Sequence, residues 1–410
     1  MLFSSLTFLF LFLPITLLLY FIVKDRYKNY LLLIASLIFY AWGEPKYIVL
    51  MLLSIVFNYV MARLIDKNKK YKSRKKFDLI ITIVVNIGTL FVFKYLDFAI
   101  ENANLMFGFN LNSPDLVLPI GISFYTFQIL SYVIDVYRGK VKVQKNIFTL
   151  GTYIALFPQL IAGPIVRYSS IEKQLQTREH SLEKFCIGLR RFIVGFCKKI
   201  LIANNVAVIA DRVFTDPMAI ELNGWIVVIA LLAYTLQIYY DFSGYSDMAI
   251  GLGKMFGFDF DENFNYPYSA TSVTDFWKRW HISLTTWFRD YVYIPLGGNR
   301  CSRIKWIRNF LIVWFLTGLW HGASWNFVVW GLYYGFILLM EKMVLNRVLD
   351  KVPNFIKHIY TMVLVIIGWV FFGSTSLTVA IDYIKIMFGM AGHQLIDSTS
   401  LYYLYTNIKL

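Results

Sequence analysis

The residue best placed to carry out chemistry is a histidine inside a long apolar run. His321 ends the run WIRNFLIVWFLTGLW and precedes GASWNFVVWGLYYG. If residues 306–320 are helical, a rise of about 1.5 Å per residue places His321 roughly 22 Å from the inner boundary of a hydrocarbon core about 30 Å thick. An ionisable side chain at that depth marks a functional site or a polar cavity. Burial favours the neutral imidazole, which can accept a proton from an alcohol. The alternative is a structural histidine hydrogen-bonded between helices.

A second polar stretch, DFWKRWHISLTTWFRDYVYIPLGGNR, occupies residues 275–300 and contains His281. Asp275 and Arg279 are four residues apart and face each other on one helical turn. Tryptophans and cations accompany them, which suits a ligand wall and a phosphorylated or anionic ligand. An interfacial helix with an aromatic belt is the equal alternative. The residues concerned are Trp277, Trp280, Trp287, Lys278, Arg289 and Arg300.

The other candidates for catalysis are weak. His180 and His358 lie in polar segments, His393 lies near the C-terminal end in GMAGHQLI, and a surface role is expected for all three. Three cysteines imply neither a disulfide framework nor a metal site. Zinc-protease, nucleophile-elbow and Walker patterns are missing from the sequence. The residue five positions after His281 is Thr286, and the residue five positions after His321 is Asn326. Neither histidine therefore forms the His-x4-Asp pattern of soluble-faced glycerolipid acyltransferases.

The composition indicates that membrane-spanning segments position these residues. The 410 residues are 58% hydrophobic and 16% charged, against about 25% charged in a soluble domain. The apolar residues form many runs long enough to cross or enter a bilayer. The net charge of +15 includes the basic segment RLIDKNKKYKSRKK at 63–76. Flanked by apolar spans, this segment is typical of a cytoplasmic loop rather than of nucleic-acid binding.

The first half of the chain predicts alternating spans. Basic flanks indicate inner ends, the acidic segment 97–117 is predicted to be an outer loop, and residues 6–23 read as a retained first span rather than a cleaved signal. Further spans are predicted after residue 223. The predicted apolar segments are 6–23, 29–42, 47–62, 78–96, 118–137, 224–240, 306–320, 322–340, 359–373 and 377–390.

The middle of the chain is less regular. Residues 148–166 contain Pro158, Gly163 and Pro164, which predicts a re-entrant segment that lines a cavity. Residues 182–214 are amphipathic and basic, which predicts helices along the inner interface. With no internal repeat or soluble domain, we expect one all-α polytopic membrane domain over residues 1–410.

Five ordered blocks resemble the membrane-bound O-acyltransferase family, and in particular its bacterial branch typified by the membrane subunit of alginate O-acetyltransferase. They extend over about 118–335, and the last two are the most specific. The blocks are LPIGISFYTFQILSYVIDVYRG (118–139), FPQLIAGPIVRY (157–168), YYDFSGYSDMAIGLGKMFGF (239–258), NFNYPYSATSVTDFWKRWHISLTTWFRDYVYIPLGGNR (263–300) and TGLWHGASWNFVVWGLYYG (317–335).

The resemblance implies a ring of transmembrane and re-entrant helices around a central tunnel. His321 matches the family's catalytic histidine, and His281 matches its second signature position. An acetyl group would pass from a cytoplasmic thioester, acetyl-CoA by expectation, to a hydroxyl outside, with His321 as general base and His281 or Asn326 as oxyanion donor. No permanently bound cofactor and no metal are expected. The residues expected to contact substrate are Asp275, Trp277, Arg279, Trp280, Arg289, Trp320 and Asn326.

The same resemblance implies a bacterial inner-membrane location, a cell-surface polysaccharide as acceptor and an exported acetyltransferase partner. Members of this branch are usually somewhat longer, with further C-terminal helices. Two alternatives stay open at this point. One is the transfer of D-alanine from a carrier protein to teichoic acid, and the other is a transporter or flippase for lipid-linked sugars, which would equally account for the helices and buried acids.

Overall fold

Helices are the only regular secondary structure in the part of the chain whose structure is described. In the computed structural model this part comprises residues 1–161, 163–214 and 223–390. Seventeen α-helices follow one another along this part of the chain, joined by short turns and by irregular segments. In chain order they are α1 Phe8–Ile22, α2 Asp25–Gly43, α3 Ile48–Lys67, α4 Lys72–Lys94, α5 Leu96–Phe107, α6 Ile122–Arg138, α7 Ile147–Ala155, α8 Phe157–Leu160, α9 Tyr168–Gln176, α10 Leu182–Phe214, α11 Gly224–Met255, α12 Val273–Arg279, α13 Ile282–Phe288, α14 Arg303–His321, α15 Trp325–Leu349, α16 Asn354–Gly373 and α17 Leu377–Met387. In addition, one turn of 3-10 helix lies at Pro267–Ser269, and a π-helical segment, Arg289–Tyr293, continues the thirteenth helix.

Six of these helices are long and apolar enough to cross a membrane: α3, α4, α10, α11, α15 and α16. The helix α1 is a shorter apolar helix, and α14, which contains Arg303, Lys305 and Arg308, is not among the six. The all-α multi-pass prediction is therefore confirmed. Each predicted apolar segment corresponds to a helix, but the predicted outer loop at 97–117 begins with α5.

The segment 182–214 forms α10, one continuous helix of 33 residues, where more than one helix was expected. The expected location along the inner interface stays a prediction. Two cations of α10 are neutralised by acids of α11. Arg191 bonds to Asp247 at 2.9 Å and also to Glu262, and Lys199 pairs with Asp241. Paired charges are far less costly in an apolar environment than isolated ones, and the sequence does not reveal such pairing.

The segment at 148–166 is broken as its proline and glycine residues predict. The helix α7 ends at Ala155, a single helical turn follows in α8, and irregular backbone begins after it. The buried Gln159 side chain donates to the backbone oxygen of Tyr153 across this break. Such side-chain bonds satisfy backbone groups that the helix leaves unpaired.

The chain divides into two compact units. Unit 1 contains residues 1–196 and 245–263, and unit 2 contains residues 197–244 and 264–410, of which 215–222 and 391–410 lie outside the described residues. The boundaries fall inside α10 and α11, so each unit receives part of both helices. The prediction of one membrane domain over the whole chain stays a prediction.

Unit 2 depends on very close packing between α14 and α15. A Cβ atom added to Gly331 would overlap the backbone oxygen of Trp314, and one added to Gly318 would overlap that of Phe327. Small residues at such crossings allow membrane helices to approach backbone to backbone. The consequence is that the end of α14, where His321 lies, is held against the start of α15.

We expect Gly331→Ala to destabilise the protein because its methyl group has no space. Overpacking of this kind costs about 3 kcal/mol, which should appear as a clear fall in melting temperature in detergent. Gly88→Ala is the matched control, since no atom lies within 4 Å of its added Cβ. Equal melting temperatures for the two variants would contradict the close contact.

Candidate functional site

His321 is the last residue of α14, and its ring is surrounded by aromatic side chains. The centroid of the imidazole lies 4.9 Å from that of Trp320, 4.9 Å from that of Trp330 and 5.1 Å from that of Phe372. These rings come from α14, α15 and α16. The histidine is half-buried, so apolar walls hold it while part of its surface stays accessible, as a proton acceptor for a substrate requires.

His281 lies in the short link between α12 and α13 and is only 1% exposed. Its backbone has the left-handed conformation, with φ of 45°, which is uncommon outside glycine and is found where surrounding structure imposes it. The ring packs edge-on to Phe242 at 4.7 Å, and Nδ1 lies 3.5 Å from the hydroxyl of Ser283. The link is outside the six candidate spans, and burial lowers the pKa of His281 to about 3. Its imidazole is therefore neutral at physiological pH.

Both histidines contact the same tryptophan. The ring of Trp320 lies 5.8 Å from His281 and 4.9 Å from His321, measured between centroids. Residues 40 positions apart in the sequence thus meet on a single indole, which is 7% exposed. The structure brings the two predicted catalytic histidines into one aromatic cluster, although their roles stay predictions.

Asp275 and Arg279 form the ion pair that their spacing predicts. Arg279 Nε lies 3.0 Å from both carboxylate oxygens of Asp275, and each side chain is about one-third exposed. Arg279 also donates to the backbone oxygen of Asn265. The pair joins α12 to the preceding segment, so its charges are already used within the protein.

Trp277 and Trp280 are buried in the core of unit 2, with exposures of 6% and 3%. Trp277 packs on Tyr334 at 4.8 Å, and Trp280 packs on Trp369 at 4.9 Å. These two rings pack inside unit 2 and anchor the short helix α12, which leads to His281. They do not form an accessible ligand wall. Their expected part in substrate contact stays a prediction.

Arg289 lies at the surface beyond α13. It pairs with the adjacent Asp290 at 2.7 Å, and its side chain is 58% exposed. The hydrogen bond to Asp290 raises the pKa of Arg289. The guanidinium is accessible to an anionic ligand, although Asp290 already neutralises it.

Asn326 has a structural set of hydrogen bonds. Its Nδ2 atom donates to the backbone oxygens of Phe371 at 3.2 Å and Ser374 at 2.9 Å, while its Oδ1 atom accepts from Ser324. Both amide hydrogens thus hold the start of α15 to the end of α16. The expected role of Asn326 or His281 as oxyanion donor stays a prediction.

The remaining histidines lie elsewhere. His180 belongs to unit 1, and the His358 ring lies 3.1 Å from the backbone oxygen of Ala270, at the approach to α12. His393 lies outside the described residues.

Sequence reasoning missed Glu341, a fully buried acid in α15. Its carboxylate accepts from the backbone nitrogens of Val273 at 2.7 Å and Thr274 at 2.8 Å, and from the Thr274 hydroxyl at 2.6 Å. The hydroxyl of Tyr360 lies 3.3 Å away. A carboxylate at a helix N-terminus satisfies free N–H groups and favours the helix dipole. Glu341 therefore fixes the start of α12, which leads directly to His281.

One signal in the sequence points to Glu341. It is the only acidic residue between Asp290 and Asp350, and it lies inside an apolar run. An acid at membrane depth is costly unless it is paired or hydrogen-bonded. The sequence does not reveal which distant backbone groups it meets.

Comparison with known proteins agrees with this architecture. A family model described as MBOAT, the membrane-bound O-acyltransferase family, matches residues 140–381. The probable alginate O-acetylase AlgI of Pseudomonas aeruginosa is 44% identical over 400 residues, which is 96% of this chain and 76% of that protein. The peptidoglycan O-acetyltransferase of Helicobacter pylori is 36% identical over 96% of this chain and 80% of its own length. The teichoic acid D-alanyltransferase of Bacillus subtilis is 30% identical, over 55% of this chain and 59% of that protein.

The fold and the histidine cluster define a multi-pass helical membrane protein with a polar site enclosed by aromatic side chains. The chain belongs to the membrane-bound O-acyltransferase family. It is an acyltransferase. The alternative of a transporter or flippase for lipid-linked sugars is therefore excluded.

We expect Glu341→Ala to destabilise the protein by about 3 kcal/mol, because it leaves at least two buried N–H donors without an acceptor. The melting temperature and acyl transfer should fall together. Asp382→Asn is the control, since it removes only the exposed pair of Asp382 with Lys385, whose contribution is about 0–1 kcal/mol. A stability for Glu341→Ala equal to that of the control would show that the carboxylate is dispensable for holding α12.

Proposed function

We propose that this protein transfers an acetyl group from a cytoplasmic thioester, acetyl-CoA, for the O-acetylation of an exported cell-surface polysaccharide. Support comes from two relatives named as O-acetylating enzymes, which match nearly the whole chain. The observation that carries the proposal is the contact of both His281 and His321 with Trp320. It places two imidazoles of different accessibility in one cluster, with His321 half-buried and His281 fully buried.

The half-buried His321 suits the role of general base. It takes the proton of an acceptor hydroxyl as the oxygen attacks the thioester carbonyl. The tetrahedral intermediate then collapses, the carbon–sulfur bond breaks, and the proton passes from His321 to the departing thiolate. The products are an acetate ester and a free thiol, so all atoms and charges balance.

The fully buried His281 suits the role of hydrogen-bond donor. A neutral imidazole has one N–H, and a rigid, dry donor stabilises the developing oxyanion better than a mobile one. His281 is packed against Phe242 and Trp320, which fixes its ring. The amide hydrogens of Asn326 are already donated to backbone oxygens.

Transfer from an inner donor to an outer acceptor requires a path through the protein. We propose a tunnel that reaches His321 from both faces of the bacterial inner membrane, together with an exported partner that places the acetyl group on the polysaccharide. Support for this orientation comes from the basic segments 63–76 and 138–145, which follow the positive-inside rule.

D-Alanyl transfer to teichoic acid is the second candidate. A teichoic acid D-alanyltransferase is 30% identical to this chain, but its match covers only 55% of the chain. The acetylating relatives match 96%, and we therefore place acetyl transfer first. The two candidates share the histidine chemistry and differ in the thioester donor.

We expect His321→Ala to lower acetyl transfer by about 10³-fold, the scale of general acid–base catalysis, while the protein accumulates normally. The measurement is the transfer of labelled acetyl from acetyl-CoA to acceptor in membrane vesicles, with Asp382→Asn as the control. Retained transfer by His321→Ala would contradict the catalytic assignment. Transfer of D-alanine from a carrier protein, without acetyl transfer, would establish the second candidate instead.

We expect His281→Ala to lower the rate of acetyl transfer by about 10²-fold, the typical effect of losing one oxyanion donor. His281→Asn should recover part of that loss, because its amide also offers an N–H group. The comparison is made on maximal rates at equal amounts of folded protein. Equal rates for the two variants would indicate that His281 supports the site only by packing.

A further inference from the structure

Unit 1 contains a cavity of about 440 Å³ that the acyl-transfer proposal does not use. Its lining combines apolar side chains with basic and titratable ones. The lining residues that matter here are Phe21, Leu182, Phe185, His180, Lys184 and Lys254. Apolar surface predominates, which suits an amphiphilic ligand better than a fully polar one.

The cavity lies where three apolar helices end. The helix α1 ends at Ile22, α10 begins at Leu182, and α11 ends at Met255. The basic segment KDRYK (24–28) follows α1 directly, which marks this as the inner end by the positive-inside rule. Ends of membrane-spanning helices lie at the depth of lipid headgroups. The cavity is therefore at the boundary between acyl chains and headgroups.

Two lysines of this cavity share one carboxylate. Lys184 Nζ lies 2.7 Å from one oxygen of Asp259, and Lys254 Nζ lies 2.9 Å from the other. Burial acts to raise the pKa of Asp259, but the hydrogen bonds and charges of both lysines lower it overall. The ammonium groups converge on an anion, and one carboxylate does not neutralise both.

Further cations surround His180. Burial first, and then the charges of Lys28 and Arg178, lower the pKa of His180, so its ring is neutral at physiological pH. Lys28 pairs with Asp25 at 2.8 Å. The Arg178 guanidinium donates to neutral groups, the hydroxyl of Tyr20 at 3.1 Å and Asn29 Oδ1 at 2.7 Å. Lys28 and Arg178 therefore add positive charge beside His180, and Arg178 has no carboxylate among its hydrogen-bond partners in the described residues.

We propose that this cavity binds the headgroup of an anionic phospholipid from the inner leaflet. The phosphate lies between Lys184 and Lys254, and an acyl chain follows the apolar surface outside the cavity. Phe21 and Leu182 supply that surface, with exposures of 47% and 79%. Phosphate recognition by converging basic groups and burial of the chain against apolar side chains both follow ordinary rules. The site is independent of the acyl-transfer proposal.

The test measures the binding of phosphatidylglycerol to the full-length protein in a non-ionic detergent, by native mass spectrometry across a lipid titration. We expect the unmodified protein to retain phosphatidylglycerol in preference to phosphatidylcholine. Lys184→Gln combined with Lys254→Gln should weaken phosphatidylglycerol binding about 30-fold. Each basic group near an anionic lipid increases the affinity by about 5-fold, and the double variant loses two such groups. Lys385→Gln is the matched control, since it removes another lysine paired with an aspartate, at 3.1 Å.

A second variant separates binding from folding. Asp259→Asn removes the carboxylate that competes with the phosphate for Lys184 and Lys254, so it should strengthen phosphatidylglycerol binding. General loss of structure would weaken binding in both variants and would contradict the proposed charge arrangement. Unchanged binding in the double lysine variant would overturn the site. Displacement of the lipid by equal concentrations of coenzyme A or inorganic phosphate would assign the lysines to a soluble phosphate ligand and overturn the lipid assignment.

Discussion

The candidate site depends on the backbone contact between α14 and α15. Gly318 and Gly331 leave no room for a Cβ atom, so the two helices approach as closely as their backbones allow. Trp330 immediately precedes Gly331, and His321 follows Gly318 by one turn. The contact therefore sets the 4.9 Å spacing between the rings of His321 and Trp330. Glycine is used here because the hydrophobic effect does not drive helices together within lipid, and close packing must do so.

Two of the charged side chains on the long helices have partners that compensate their charge. Arg191 meets Asp247 and Glu262, and Glu341 meets two backbone N–H groups and two hydroxyls. Each of these arrangements offsets the cost of removing an ion from water. The two arrangements have different consequences. The pairing of Arg191 joins the long helices α10 and α11, whereas Glu341 orients the short helix α12, which ends beside His281.

The two histidines of the candidate site have different environments, and this difference is the physical reason for proposing different roles for them. His321 is half-buried, which leaves part of its ring accessible for the proposed proton transfer. His281 is 1% exposed and neutral, with its ring fixed between Phe242 and Trp320. Proton acceptance requires access, whereas oxyanion stabilisation requires rigidity and exclusion of water. A single aromatic cluster provides both conditions.

The sequence by itself determined the helical membrane class, the approximate bounds of most helices, the Asp275–Arg279 pair and the two histidines, because these follow from local periodicity, spacing and charge. Only the tertiary structure decided which distant groups meet. It placed Glu341 at the start of α12, buried Trp277 inside unit 2, and paired cations of α10 with acids of α11. Local sequence cannot specify these features, since each depends on a partner brought near only by folding.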